Sequence, residues 1–196
     1  MVRVPERALS KARRTVAYLV TGAHDEAAAA AARAAIEEEA LGNDWQFAAD
    51  GSESATSERD EALHKVMTSS AFAGRSGSGL QRFLAEVDPQ GPAALVVFAP
   101  PTEGPWLEEM RAVTTRRYGR VRVVIAVDAV HEARAPSRWK RWLLTPSVAP
   151  GVARGDLEHV GRVLSQLRCQ VVVVDRVSGR VLGDGAHVAR GKRRAA

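Results

Sequence analysis

Leu80, Phe83, Leu84 and Val87 recur at i, i+3, i+4 and i+7, the spacing of a helix with one buried face. Ser78, with Gln81 three residues on, reads as a capping box at its start. Asp88-Pro89-Gln90-Gly91-Pro92 stops the helix, and Ala93 to Phe98 then form an unbroken apolar run, the mark of a strand covered on both faces. A second helix, about Gly104 to Tyr118 and closed by Gly119, leads into Arg120 to Val127, which is rich in β-branched residues and strand-like. Ser78 to Asp128 therefore predicts helix, strand, helix, strand, joined by right-handed crossovers.

The same alternation continues on either side. Thr15 to Thr21 reads as a first strand, and Gly22-Ala23-His24 as the turn into an Ala-rich helix that opens with Asp25 and Glu26 and runs to Leu41, with Gly42 as its stop. Glu37, Glu38 and Glu39 suit a solvated face. Trp45 to Ala49 predicts a second strand and Asp50 to Thr56 a loop. Ser57 with Asp60 then matches a capping box for a short helix striped by Leu63, Val66 and Met67. Gly74 to Gly79 supplies glycines and hydroxyls ahead of a helix, a composition that can cradle a phosphate or simply connect. Near the end, Asp156 opens a helix striped by Leu157, Val160, Leu164 and Leu167. Gln170 to Val177 is the strongest strand pattern, and Ser178-Gly179 is a two-residue hairpin turn into Arg180 to Leu182. The expectation is an α/β fold of three layers, a mostly parallel sheet with helices on both faces and a C-terminal β-hairpin. Residues 1–14 form a basic N-terminal arm, 15–186 a single α/β domain with 129–186 as a C-terminal extension, and 187–196 a basic tail.

A length of 196 residues suits one domain able to bury roughly 70% of its unfolded surface. The single cysteine, Cys169, excludes an intramolecular disulfide and, beside a predicted strand, reads as a small buried apolar residue. No apolar run approaches the ~18 residues of a membrane span, and the N-terminus opens with charges rather than a signal-peptide core, so a soluble cytoplasmic protein with no membrane partner is expected. The formal charge is +5, from 28 basic and 23 acidic residues. Arg3, Arg7, Lys11, Arg13 and Arg14 crowd one end, and Arg190, Lys192, Arg193 and Arg194 the other. Such arms favour polyanions by counterion release, which makes DNA or RNA a weak, salt-dependent partner; solvated tails have the same composition. Arg138, Trp139, Lys140, Arg141 and Trp142 interleave cations with indoles, able to hold phosphates and stack bases, while Trp139, Trp142 and Leu143 also fit a helix face turned to a core. The five histidines stand apart, so no metal set and no cofactor is assigned. Asp128 and Asp175 end strand-like runs, where α/β sheets place ligands.

In order, a strand holding Ala17-Tyr18-Leu19, an Ala-rich helix, a strand ending in Asp50-Gly51-Ser52, then "GLQRFLAEV" from Gly79 and "ALVVF" from Ala94 resemble the catalytic domain of serine recombinases, the resolvase and invertase family, over about residues 15–128. The resemblance implies the recombinase-type α/β domain. It does not bring the chemistry: Val20 stands where the family has an arginine, Gly22 where it has the nucleophilic serine, and Pro100 to Pro105 where its aspartate and two further arginines lie. Thr21, one position away, carries the nearest hydroxyl. No catalytic residue is therefore assigned. The leading expectation is a non-catalytic resolvase-like domain with a DNA-associated or regulatory role. Its nucleic-acid contacts would come from Arg13, Arg14, Arg138, Trp139, Lys140, Arg141, Lys192, Arg193 and Arg194. The alternatives are a nucleotide-binding enzyme or sensor, using Thr21, Gly22, Asp50, Ser76, Ser78 and Asp128 at the strand C-terminal ends, and a protein-interaction adaptor. The oligomeric state is left open.

Overall fold

The structure is a computed structural model that describes residues 14–71, 74–87, 93–114, 120–128, 130–131, 152–176 and 181–184. A six-stranded sheet runs through it in the order β2-β1-β3-β4-β7-β8. Its strands are β1 (Arg14–Leu19), β2 (Trp45–Ala49), β3 (Ala93–Ala99), β4 (Arg120–Val127), β7 (Gln170–Asp175) and β8 (Val181–Asp184). The first five are parallel, and β8 lies antiparallel on β7; residues 177–180, which hold the expected hairpin turn, lie outside the described residues. A two-residue pair, β5 (Val130–His131) with β6 (Val152–Ala153), stands apart from the main sheet.

Period-two alternation sends each strand's side chains into two separate cores. Leu95 and Val97 of β3 enter one core with Val16, Tyr18, Val123 and Ile125, while Val96 and Phe98 enter the other with Ala17, Leu19, Val124 and Ala126. Each fully buried side chain of this size contributes about 1.5–3 kcal/mol, which is why β3 is unbroken in its apolar character. Helices α3 (Leu80–Val87), α4 (Trp106–Thr114) and α5 (Arg154–Gln166) cover the first core. Helices α1 (Glu26–Glu37) and α2 (Arg59–Met67) cover the second, the alanines of α1 letting its backbone approach the sheet closely. The architecture is thus the expected mostly parallel α/β sheet with helices on both faces. The β2 edge is blunted: Phe47 and Thr56 exchange backbone hydrogen bonds of 2.7 and 2.9 Å, and Ala49 N–H donates to Ser52 Oγ at 3.1 Å.

Several boundaries differ from expectation for local reasons. The α3 helix begins at Leu80, so Gly79 and not Ser78 precedes it, and Gln81 reaches across to Glu109 Oε2 at 2.7 Å. The α2 cap is Glu58, not Ser57; Thr56 Oγ1 accepts from Glu58 N–H at 3.1 Å and donates to Glu61 Oε2 at 2.6 Å. Met67 is 80% exposed, and Ala62 takes the buried position expected of it. The α1 helix ends at Glu37, short of Leu41, as Glu39 turns to φ 56° where three carboxylates meet the negative end of the helix dipole. Residues 115–119, the expected last turn of α4, lie outside the described residues.

Candidate functional site

The order β2-β1-β3-β4 reverses direction at β1, and the C-terminal ends of β1 and β3 flank the crevice in which doubly wound sheets place ligands. Asp50, directly after β2, reaches into this region with 0% exposure. Its backbone is held on both sides, N–H to Leu19 O at 3.0 Å and C=O accepting from Ser70 N–H at 3.0 Å. Its carboxylate collects four donors. Tyr18 Oη donates to Oδ1 at 2.8 Å, and Gly77 N–H (2.7 Å), Thr21 N–H (2.9 Å) and Thr21 Oγ1 (3.2 Å) donate to Oδ2. A buried carboxylate is tolerated only when its lone pairs are satisfied in this way. Burial first, and then the charge and hydrogen bond of Asp50, push the Tyr18 hydroxyl far above its ordinary pKa, so it stays a donor.

The loop that closes over Asp50 is shaped by two glycines. Gly77 has φ +76°, and a Cβ there would lie 2.7 Å from Trp106 Cβ; a Cβ on Gly79 would lie 2.3 Å from Tyr18 Oη. Both permit an approach that no side chain could make. Around them the remaining polar groups bond inward. The Ser76 hydroxyl donates to Thr21 O, the Ser78 hydroxyl to Arg75 O at 2.9 Å, Gly22 N–H to Asp25 Oδ2 at 2.9 Å, and Thr102 Oγ1 to Ala23 O at 3.0 Å. A Cβ on Gly22 would meet Pro100 Cγ at 3.1 Å and Ser76 Oγ at 3.4 Å, so these two side chains pack directly against the position.

Thr21, Gly22, Asp50 and Ser76 thus form one cluster, with Ser78 at its rim. Asp128 is not part of it: it ends β4, two strands from β1, and forms an ion pair with Arg176. Arg14 opens β1 with its Nε 4.0 Å from Asp44 Oδ1. Arg13, Arg138, Trp139, Lys140, Arg141, Lys192, Arg193 and Arg194 lie outside the described residues. Sequence reasoning gave Tyr18 no role in the site and named Gly77 only as part of the Gly74 to Gly79 stretch. A tyrosine in a strand buried on both faces needs a partner for its hydroxyl, and that was the available signal.

The donors that could have held a phosphate, two backbone N–H groups and neighbouring hydroxyls beside a glycine-rich loop, already hold the Asp50 carboxylate. Asp25 does the same at the turn into α1. A phosphate would have to displace a buried, fully bonded anion. Beside the cluster, Tyr18, Ser52, Glu53, Gly79, Arg82 and Glu86 line a small cleft that is open to solvent and far smaller than a ligand pocket. Arg82 Nη2 donates across it to Ser52 O at 2.6 Å. Among the described residues no group of three or more His, Cys, Asp or Glu could hold a metal, and no helix is long and apolar enough to cross a membrane. Compared with known proteins, the chain matches no family model, no curated protein and no solved structure.

Proposed function

We propose that the chain is a non-catalytic, resolvase-like α/β domain with a nucleic-acid-associated role, binding through surface cations and not through chemistry at the strand ends. The observation that carries the non-catalytic part is the closure of the switch-point cluster on Asp50. A hydroxyl beside a carboxylate can pair a nucleophile with a base, but Thr21 is 4% exposed, Asp50 is 0% exposed, and Pro100 and Ser76 fill the approach. With Gly22 at the serine position, no side chain offers an attacking oxygen there. The same closure disfavours the nucleotide alternative, since Gly77 N–H and the Ser76 hydroxyl are engaged within the protein. The sheet order agrees with the resemblance but is shared by doubly wound folds of many functions, so the reading rests on the site and on the charge.

Its test combines binding and trapping on DNA. The full chain should bind a DNA duplex without strong sequence preference, lose affinity steeply as salt rises, and form no covalent adduct. Removing residues 1–13 and 190–196 should weaken the binding. A trapped covalent adduct that Thr21→Ala abolishes would show the non-catalytic reading to be wrong, and absence of binding at low salt would remove the nucleic-acid role.

A further inference from the structure

The formal charge of +5 conceals two opposite regions. Between Asp25 and Glu61 lie eleven carboxylates and only two arginines, so the rest of the chain carries a large excess of positive charge. Along the N-terminal edge of the sheet this becomes a gradient. At the β2 end, Glu37 closes α1, Glu38 and Glu39 follow it and Asp44 precedes β2, all exposed. At the other end, Arg120 and Arg122 lie on the first turn of the pleat of β4, and Arg168 lies in the turn between α5 and β7.

The surroundings of these arginines leave their charge uncompensated. Arg122 pairs in register with Gln170 on β7, and its Nε and Nη2 donate to Gln170 Oε1 at 3.1 and 2.9 Å, so a neutral amide orients the guanidinium without neutralising it. Arg120, two residues earlier on the same face of β4, has its charge close enough to lower the Arg122 pKa, second only to burial as a cause. Arg168 precedes Gln170 by two residues, is exposed, and holds φ 58°, a left-handed conformation that a non-glycine residue adopts only under constraint. Among the described residues, none of the three forms an ion pair with a carboxylate, whereas Arg33, Arg111, Arg154 and Arg176 each do.

We infer that Arg120, Arg122 and Arg168 form a phosphate-backbone contact surface on the N-terminal ends of β4 and β7, on which the fold itself holds nucleic acid. This deepens the proposed function and rests on it, assigning part of the binding to the folded body beyond the basic termini. Planar guanidinium groups suit phosphate oxygens, and a polyanion relieves the repulsion between Arg120 and Arg122. The acidic β2 end repels the same polyanion, which confines the backbone to the β4 and β7 side.

The test is a salt series, from about 50 to 200 mM, of anisotropy with a labelled DNA duplex and the full-length chain. Replacing all three arginines by glutamine (R120Q/R122Q/R168Q) should lower the slope of log K against log salt by about 2 to 3, at about 0.9 per phosphate released, while R120K/R122K/R168K should restore it. Gln170→Glu, which sets a carboxylate against Arg122, should lower the slope by about 1, and it decides the matter if the triple glutamine variant fails to fold. An unchanged slope in the glutamine variant, or in Gln170→Glu where that variant decides, overturns the surface and leaves the termini as the binding elements. A full-length chain that binds no duplex at low salt overturns both this inference and the nucleic-acid role. So does binding to phosphatidylserine vesicles in place of DNA, which would make the partner a membrane surface.

Discussion

Replacing Asp50 by alanine should cost more stability than any other polar substitution among the described residues. The change removes an acceptor and leaves four donors facing an apolar gap: the Tyr18 hydroxyl, the Thr21 hydroxyl, and the N–H groups of Thr21 and Gly77. A buried unsatisfied donor costs about 1–3 kcal/mol, so the gross penalty is several times that. Water entering the vacated space recovers part of it, and the expected net loss is about 4 kcal/mol or more, a large share of the ~5–15 kcal/mol that holds a domain together. Asp50→Asn separates charge from shape. An amide oxygen at the Oδ2 position keeps three of the four bonds, while its NH₂ faces the Tyr18 hydroxyl, for a loss of about 1–3 kcal/mol. Tyr18→Phe removes one donor and should cost about 1–2 kcal/mol. Urea unfolding followed by far-UV circular dichroism, extrapolated linearly to water, measures all three. In a Tyr18→Phe background Asp50→Ala should cost less than it does alone, because one orphaned donor is already gone. An Asp50→Ala chain within about 1 kcal/mol of the parent would refute the role of the carboxylate as the staple of the β1, β2 and Gly77 junction.

Three further outcomes follow from burial and backbone geometry. Gly77→Ala should destabilise by about 2–5 kcal/mol, combining a left-handed backbone with a collision against Trp106, whereas Gly74→Ala, at φ +72° with nothing within 4 Å, should lose only the backbone component of about 1 kcal/mol; the same urea titration compares them. Phe98→Ala should cost about 3–5 kcal/mol and Met67→Lys less than about 0.5, measured by thermal melting, since one side chain is 1% and the other 80% exposed. Burial pushes the Cys169 thiol up to about 11, so alkylation at pH 8 should be slow in the folded chain and become fast in urea. The unfolded thiol releases its proton first, so this group's contribution to stability is present below about pH 9 and is lost as pH rises toward 11, a component that Cys169→Ala removes.

The strands were legible because each is a local event. Ala93 to Phe98 and Arg120 to Val127 carry their β-branched, apolar character in consecutive residues, and a strand covered on both faces needs little else. Helix boundaries were less legible because they depend on contacts from elsewhere in the chain. Ser78 has the composition of a cap, yet the helix begins two residues later, since Gly77 must turn through a positive φ against Trp106 and Gly79 must pass beneath Tyr18. The α2 cap shifted for a similar reason: Thr56, held to Phe47 by the edge of β2, carries its hydroxyl to Glu58 and Glu61 before Ser57 can act.

The cluster shows the same limit at the level of function. Glycines, hydroxyls and an aspartate at the ends of parallel strands describe a phosphate site and a self-satisfied junction equally well, because both need convergent donors around one anion. What separates them is which anion is present, and that depends on a pairing across 27 residues between Gly77 N–H and Asp50 Oδ2. No pattern within either stretch encodes it. Arg122 and Gln170 pose the matching problem with the opposite result. They are separated by 48 residues, and the register of β4 on β7 places a guanidinium against an amide that cannot neutralise it. At the C-terminal ends of β1 and β2 the donors around Asp50 are taken up within the protein, and at the N-terminal ends of β4 and β7 Arg120, Arg122 and Arg168 stand without a carboxylate partner among the described residues. The proposed polyanion surface accordingly lies on the N-terminal edge, whereas at the C-terminal edge, where doubly wound folds usually hold their ligands, the Asp50 carboxylate ties β1, the end of β2 and the Gly77 loop together.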